Sequence, residues 1–181
     1  MRTVIQFCVL FVLASLLSTV LFAESFYDFT VKDIDGKDFL FEKLKGKKVM
    51  VVNVASKCGN TPQYKELQEI YTKYGNEKFV VIAFPANNFG QQEPGTDKEI
   101  KEFCTSKYSV TFPVMSKISV KGDDQHQVYH WLTEKKLNGV KDAPVKWNFQ
   151  KFLINEQGKL VDVIEPGDKP NSEKIIKWLE P

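Results

Sequence analysis

Between Val49 and Phe84 the chain alternates a buried strand, a polar turn, an amphipathic helix and a second buried strand. Val49–Ala55 reads Val-Met-Val-Val-Asn-Val-Ala, an apolar and mostly β-branched run, as a strand covered on both faces requires. The turn Ser56-Lys57-Cys58-Gly59-Asn60-Thr61 follows. Pro62 then suits the first turn of a helix, and Tyr64, Leu67, Ile70 and Tyr71 recur at helical spacing to about Tyr74. Phe79–Phe84 is again continuously apolar and stops at Pro85. Such a strand–helix–strand unit is a βαβ crossover. It places the thiol of Cys58 at a strand-to-helix junction, where the N–H groups of a helix start favour thiolate over thiol. Thiolate is the nucleophilic form.

The remaining elements bracket this unit. Phe29-Thr30-Val31 and Phe39-Leu40-Phe41 flank Asp35-Gly36, a hairpin signal. Thr96-Asp97-Lys98-Glu99 is a capping box that opens a helix to about Tyr108. Val114–Val120 reads as extended and Gln125–Lys135 as helical. Phe149–Ile154 and Leu160–Ile164 read as strands joined through Glu156-Gln157-Gly158, and Ser172–Leu179 as a closing helix. One crossover plus terminal antiparallel strands fits an α/β fold of the thioredoxin-like type, a central mixed β-sheet flanked by helices.

Composition removes several functions. Hydrophobic content of 43% and a formal net charge of +2 describe an ordinary globular chain with no strong electrostatic partner. Arg2 is the sole arginine, so a bidentate guanidinium clamp on a carboxylate or phosphate is unavailable to the folded domain. No basic and aromatic residues interleave along one face, so a nucleic-acid partner is not expected. His126 and His130 stand four apart, but no third ligand accompanies them, so a solvated face is expected rather than a metal site. No cofactor is implied.

The first residues stand apart. Val4–Phe22 carries no charge, follows Arg2 and ends in Leu21-Phe22-Ala23. This pattern is that of a secretory signal peptide over residues 1–23, with an uncleaved membrane anchor as the other reading. Either places the domain at 24–181 outside the cytoplasm. Cys8 lies inside this leader and is given no chemistry.

Three segments together carry a resemblance: VNVASKCGNTPQY at Val52–Tyr64, FPANNFGQQEPG at Phe84–Gly95, and KWNFQKFLI at Lys146–Ile154. In this order they resemble the glutathione peroxidase family in its cysteine form, over essentially the whole chain after the leader. The resemblance implies a peroxidase in which Cys58 attacks a hydroperoxide and becomes a sulfenic acid. It maps the supporting donors onto Gln92, Trp147 and Asn148, side chains that offer N–H groups without an ionisable proton. Gln92 is chosen over Gln91 because it directly precedes Glu93-Pro94-Gly95.

The chain departs from the family pattern at Ala86, where many members carry a further cysteine. Cys104 matches the position of the resolving thiol in thioredoxin-dependent members. It also lies on one helical face with Ile100, Phe103 and Lys107, so a packed core thiol remains open. A resolving Cys104 implies a thioredoxin-like donor; a glutathione-dependent one-cysteine peroxidase and a peroxide sensor that relays oxidation to a partner stay as alternatives. Cys58-Gly59-Asn60-Thr61 lacks the second cysteine of a C-x-x-C oxidoreductase. Only 15 residues separate Trp131 from Trp147, which resembles the compact monomeric members that accept lipid hydroperoxides.

Overall fold

The computed structural model describes residues 25–75 and 78–180; the leader reading at 1–23 lies outside the described residues. A four-stranded sheet in the order β4-β3-β5-β6 forms the centre. Strand β3 (Lys48–Val54) pairs in parallel with β4 (Phe79–Pro85) and antiparallel with β5 (Lys151–Ile154), which pairs antiparallel with β6 (Leu160–Ile164). Helix α1 (Gln63–Tyr74) makes the crossover between β3 and β4. The N-terminal strands β1 (Thr30–Lys32) and β2 (Asp38–Leu40) pair as a separate two-stranded sheet. Their turn is tied by Asp33, whose Oδ1 accepts from the N–H groups of Asp35 and Lys37, and Gly36 supplies its positive φ of 77°.

Alternation along the buried strands sends side chains to two cores. Val49, Val51, Ile82, Phe84, Phe152 and Ile154 face one side. There they meet Phe26, Phe29 and Phe41 of the N-terminal segment and Tyr129, Trp131 and Leu132 of α3 (Gln127–Thr133). Met50, Val52, Val54, Val81 and Leu153 face the other. Tyr64, Leu67 and Ile70 of α1, Ile100 and Cys104 of α2 (Asp97–Tyr108), and Ile175 of α5 (Glu173–Leu179) cover that side. Strands covered on both faces need no polar alternation, which is why their sequence reads as continuous apolar runs.

Four details depart from the sequence reading. Val114–Val120 is not a strand: Val114 bridges Ala83 and Met115 bridges Asp33, each in isolation. The Gln125–Lys135 helix divides, because Glu134 is extended (φ −113°, ψ 118°) between α3 and the short α4 (Lys135–Asn138). His126 is not in the helix but caps it, its Nδ1 accepting from Val128 N–H at 3.2 Å; His130 contacts Glu134 one turn on. The two histidines therefore do not share a helical face. Finally, β5 starts at Lys151 rather than Phe149, whose φ of 69° is left-handed.

The N-terminal segment is a wall of the core rather than an appendage. Phe26 and Phe41 are fully buried with ring centroids 5.0 Å apart, and Tyr27 Oη donates to the carbonyl of Glu156 in the β5–β6 turn at 2.8 Å. A Cβ at Gly158 would come within 2.6 Å of the Tyr27 ring, so that turn requires glycine for space as well as for its φ of 74°. Phe41→Ala is expected to lower the unfolding free energy by about 3–5 kcal/mol, measured by urea denaturation.

Candidate active site

Cys58 lies in the turn between β3 and α1, only 8% exposed. Thr61 organises this turn. Its Oγ1 accepts from Cys58 N–H at 2.9 Å and donates to Ala55 O at 2.8 Å, and Thr61 N–H returns to Cys58 O at 3.0 Å. The turn is thereby closed across the residues on both sides of the thiol. Asn60 N–H donates to Cys58 Sγ at 3.4 Å. Helix α1 begins only at Gln63, so the donor at the sulfur belongs to the turn and not to the helix start that the sequence suggested.

Two further segments close on this turn. The loop after β4 carries Gly90 and Gln91 at φ 60° and 54°, a pair of left-handed residues that reverses the chain ahead of Gln92. The carbonyl of Gln92 accepts from Lys57 N–H at 3.0 Å, which fastens this loop to the residue before Cys58. The segment before β5 enters through Asn148. Its carbonyl accepts from Asn60 Nδ2 at 3.3 Å, and its Nδ2 donates to Gln92 Oε1 at 3.0 Å. Gln92 Oε1 is thus an acceptor for Asn148, and the donors of the side chain are the two N–H groups of Nε2. Gln91, by contrast, is exposed.

Trp147 sits at the rim, 41% exposed, with its ring 5.4 Å from that of Phe89. Its carbonyl accepts from Asn53 Nδ2 at 3.1 Å, and Asn53 O accepts from Phe149 N–H at 2.6 Å. One buried asparagine of β3 therefore grips the backbone on both sides of Asn148. The structure brings Cys58, Gln92 and Asn148 into one hydrogen-bonded assembly and places Trp147 beside it.

Cys104 does not belong to that assembly. It is 1% exposed on α2, is not disulfide-bonded, and packs in the same apolar cluster as Cys58. Burial pushes its thiol up to about 11, with the neighbouring Tyr64 hydroxyl pulling the other way. At neutral pH Cys104 is a thiol.

Asn53, Thr61 and Glu93 emerge from the structure alone. The signal that could have marked Asn53 is a polar residue within an apolar strand; Thr61 carries no such local signal. Glu93 is 1% exposed, and its carboxylate accepts from Ser56 Oγ at 3.1 Å. Burial raises its carboxyl above the usual range, against the lowering effect of the Ser56 bonds and of Lys117 and Lys57. Among the described residues, no cluster of three His, Cys, Asp or Glu side chains is arranged to hold a metal ion.

A thioredoxin-like α/β fold with a cysteine in the turn after a central strand, that turn hydrogen-bonded to the segments of Gln92 and Asn148, suits a thiol-based oxidoreductase. Comparison with known proteins makes the assignment specific. The family model for glutathione peroxidase matches residues 26–133. Glutathione peroxidase-like peroxiredoxin 2 of Saccharomyces cerevisiae is 51% identical over 82% of this chain and 91% of its own length. The glutathione peroxidase homolog BsaA of Staphylococcus epidermidis is 42% identical over 83% of this chain and 95% of its own. The crystal structure of Trgpx in apo form superposes with a TM-score of 0.66 at 41% identity, covering 87% of this chain and 96% of that one. A thiol:disulfide interchange protein from Chlorobium tepidum, 20% identical with a TM-score of 0.61 over 83% of this chain and 92% of that one, shares the fold. The chain belongs to the glutathione peroxidase family and is a thiol-dependent peroxidase.

Thr61→Val removes the acceptor of Cys58 N–H and the donor to Ala55 O together. Leaving buried groups unpaired costs about 1–3 kcal/mol, to be read in urea denaturation. Cys58 oxidation by peroxide is expected to slow in parallel in stopped-flow traces, and Thr61→Ser is expected to restore most of both.

Proposed function

We propose that this peroxidase reduces hydrogen peroxide and organic or lipid hydroperoxides at Cys58, resolves the oxidised thiol with Cys104, and is recycled by a thioredoxin-like protein. The observation that carries the reading is the chain of hydrogen bonds from Asn60 to Asn148 to Gln92 and back through Gln92 O to Lys57. It fixes amide groups around the nucleophile's turn without introducing a competing acid or base.

The Cys58 thiolate attacks one peroxide oxygen. An S–O bond forms, the O–O bond breaks, and the departing oxygen leaves as water or an alcohol after taking a proton. Gln92 Nε2, the Asn148 amide and the indole N–H of Trp147 are the donors for the charge that develops on that oxygen. Such donors each contribute about 2.7–4 kcal/mol where they meet the transition state directly. Because Trp147 is at an exposed rim, the approach to Cys58 suits substrates with bulky tails.

Cys104 then displaces the oxygen from the Cys58 sulfenic acid, and the disulfide is reduced by exchange. The lack of arginine after Arg2 speaks for a protein donor over the carboxylates of glutathione. The apolar run Val4–Phe22 supports export, with a membrane anchor as the alternative, and the 15 residues between Trp131 and Trp147 support a compact monomer. Fractionation that finds the protein in the cytoplasm with Met1 retained would remove the export reading.

Cys58→Ser is expected to abolish peroxide consumption with any reductant, since serine supplies no anion near neutral pH. Cys104→Ser should keep one stoichiometric turnover and lose thioredoxin-coupled cycling, with more Cys58 sulfinic acid in mass spectra. Full thioredoxin turnover in Cys104→Ser would leave Cys104 as a core thiol and favour the one-cysteine reading. Glutathione supporting turnover in that variant would name the donor.

A further inference from the structure

A cleft of about 340 Å³ separates the Cys58 turn from the helix that carries Cys104. Ser56 and Lys57 line one wall, and Glu99, Ile100 and Phe103 of α2 line the other. Glu93 lies in the cleft between them, its carboxylate held by Ser56 Oγ. Ser56 is two residues from Cys58, and Phe103 is adjacent to Cys104. Glu93 is anchored further through its own N–H to Asn87 Oδ1 at 2.9 Å and through its carbonyl, which accepts from Lys117 Nζ at 3.3 Å. This carboxylate is therefore tethered to the nucleophile's turn and remains there when α2 moves. It plays no part in the reduction of peroxide as derived above.

Resting on the reading of Cys104 as the resolving thiol, we propose that Glu93 accepts the Cys104 proton during resolution. The step then balances within the cleft. The Cys104 S–H proton passes to the Glu93 carboxylate as the Cys104 sulfur attacks the Cys58 sulfenic acid. The S–S bond forms, the S–O bond breaks, and the departing hydroxide takes the proton back from Glu93 as water. Cys58 is reduced from the sulfenic to the disulfide level while Cys104 is oxidised. The hydroperoxide consumed in the first step is the oxidant.

Charge conservation favours this route. An ionised Glu93 disfavours a second negative charge on nearby Cys104, and it also raises the Tyr64 hydroxyl. A Cys104 thiolate formed beside a carboxylate would add a negative charge there, whereas proton transfer to Glu93 leaves the local charge unchanged. The groups facing the carboxylate are Lys57 from the Cys58 turn, Lys117 from the segment after Met115, Glu99 and Cys104 from α2, and Tyr64 from α1. Burial raises the Glu93 carboxyl, making it a better base than an exposed carboxylate, while Ser56, Lys117 and Lys57 favour its charged form.

The test follows disulfide formation after one equivalent of hydrogen peroxide, from pH 5 to pH 9, with thiol blocking and mass spectrometry. Rates refer to the Cys58 sulfenic acid accumulated in the same sample. In the wild type, resolution should rise with pH and level off once Glu93 is ionised. Glu93→Gln keeps the acceptor for Ser56 and should slow resolution by about a hundredfold near neutral pH, as expected for loss of a general base. Its rate should then climb with pH without levelling. Glu93→Ala should be rescued by added formate, which fits the cleft. Unchanged resolution in Glu93→Gln, or slowed resolution with the wild-type pH profile and no formate rescue, overturns the proposal. If the wild type forms no Cys58–Cys104 disulfide, the resolving role of Cys104 fails, and the role of Glu93 with it.

Discussion

Strand β3 is the constraint from which the site follows. It pairs in parallel with β4 on one side and antiparallel with β5 on the other. The end of β3, the end of β4 and the start of β5 therefore meet at one edge of the sheet: Val54 lies opposite Pro85, and Val52 opposite Lys151. The chain leaves β3 toward Cys58, leaves β4 toward Gln92, and arrives at β5 from Trp147 and Asn148. Three stretches far apart in sequence are delivered to one place by strand direction alone. Hydrogen bonds from Asn53 to Trp147 O, from Asn60 to Asn148 O and from Asn148 to Gln92 Oε1 then set the distances.

The same edge holds a buried cation. Lys151 is fully buried and donates through Nζ to the carbonyls of Glu165, Pro166 and Asp168. Burial lowers its ammonium to about 7, opposed by Asp168 and Glu66. Carbonyl oxygens satisfy the ammonium donors, which a buried charge requires. Gln63 Nε2 adds a bond to Pro166 O at 2.8 Å, so the loop after β6 is joined to both the start of β5 and the start of α1. The backbone that presents Trp147 and Asn148 is thereby braced from behind.

What was legible in the sequence is what local pattern determines. The apolar runs of β3 and β4, the capping box at Thr96 and Glu99, and the turns at Gly36 and Gly158 each carry their signal within a few residues. Cys58 stood out by its place between a buried strand and a helix, whereas Gln92, Trp147 and Asn148 were marked only by motif resemblance, since no local rule distinguishes Gln92 from Gln91. The structure separates these two: Gln91 sits at positive φ and is exposed, while Gln92 binds Asn148. Misread elements have tertiary causes. Phe149 extends the apolar pattern of β5, yet its N–H goes to Asn53 O and its φ is left-handed, so the strand starts two residues later. Val114–Val120 looks extended, but only Val114 and Met115 make bridges. Thr61 and Glu93 were silent because their partners, Ala55 and Ser56, lie across turns whose shape the sequence leaves open.

The two thiols differ most in what each must do to react. Cys58 lies in a turn closed around it, whereas Cys104 is packed in a helix that the proposed resolution step has to open. Its place in that helix makes the exit local. Cys104 O is an acceptor for Ser109 N–H and Val110 N–H, so the last turn of α2 is closed through this residue. The cap itself is weak, because Ser109 occupies a left-handed conformation at φ 53°, which costs a non-glycine residue about 1 kcal/mol. Opposing release, Tyr64 of α1 packs on both Phe103 and Tyr108, with centroids 6.3 and 5.3 Å away. The start of α2 has the reciprocal cap of Thr96 and Glu99 and has no such weakness. Under the proposed mechanism the helix therefore opens from Tyr108 toward Cys104. The three-ring contact resists this opening, and the anchored end at Thr96 keeps the freed segment beside the cleft bounded by Ser56 and Lys57.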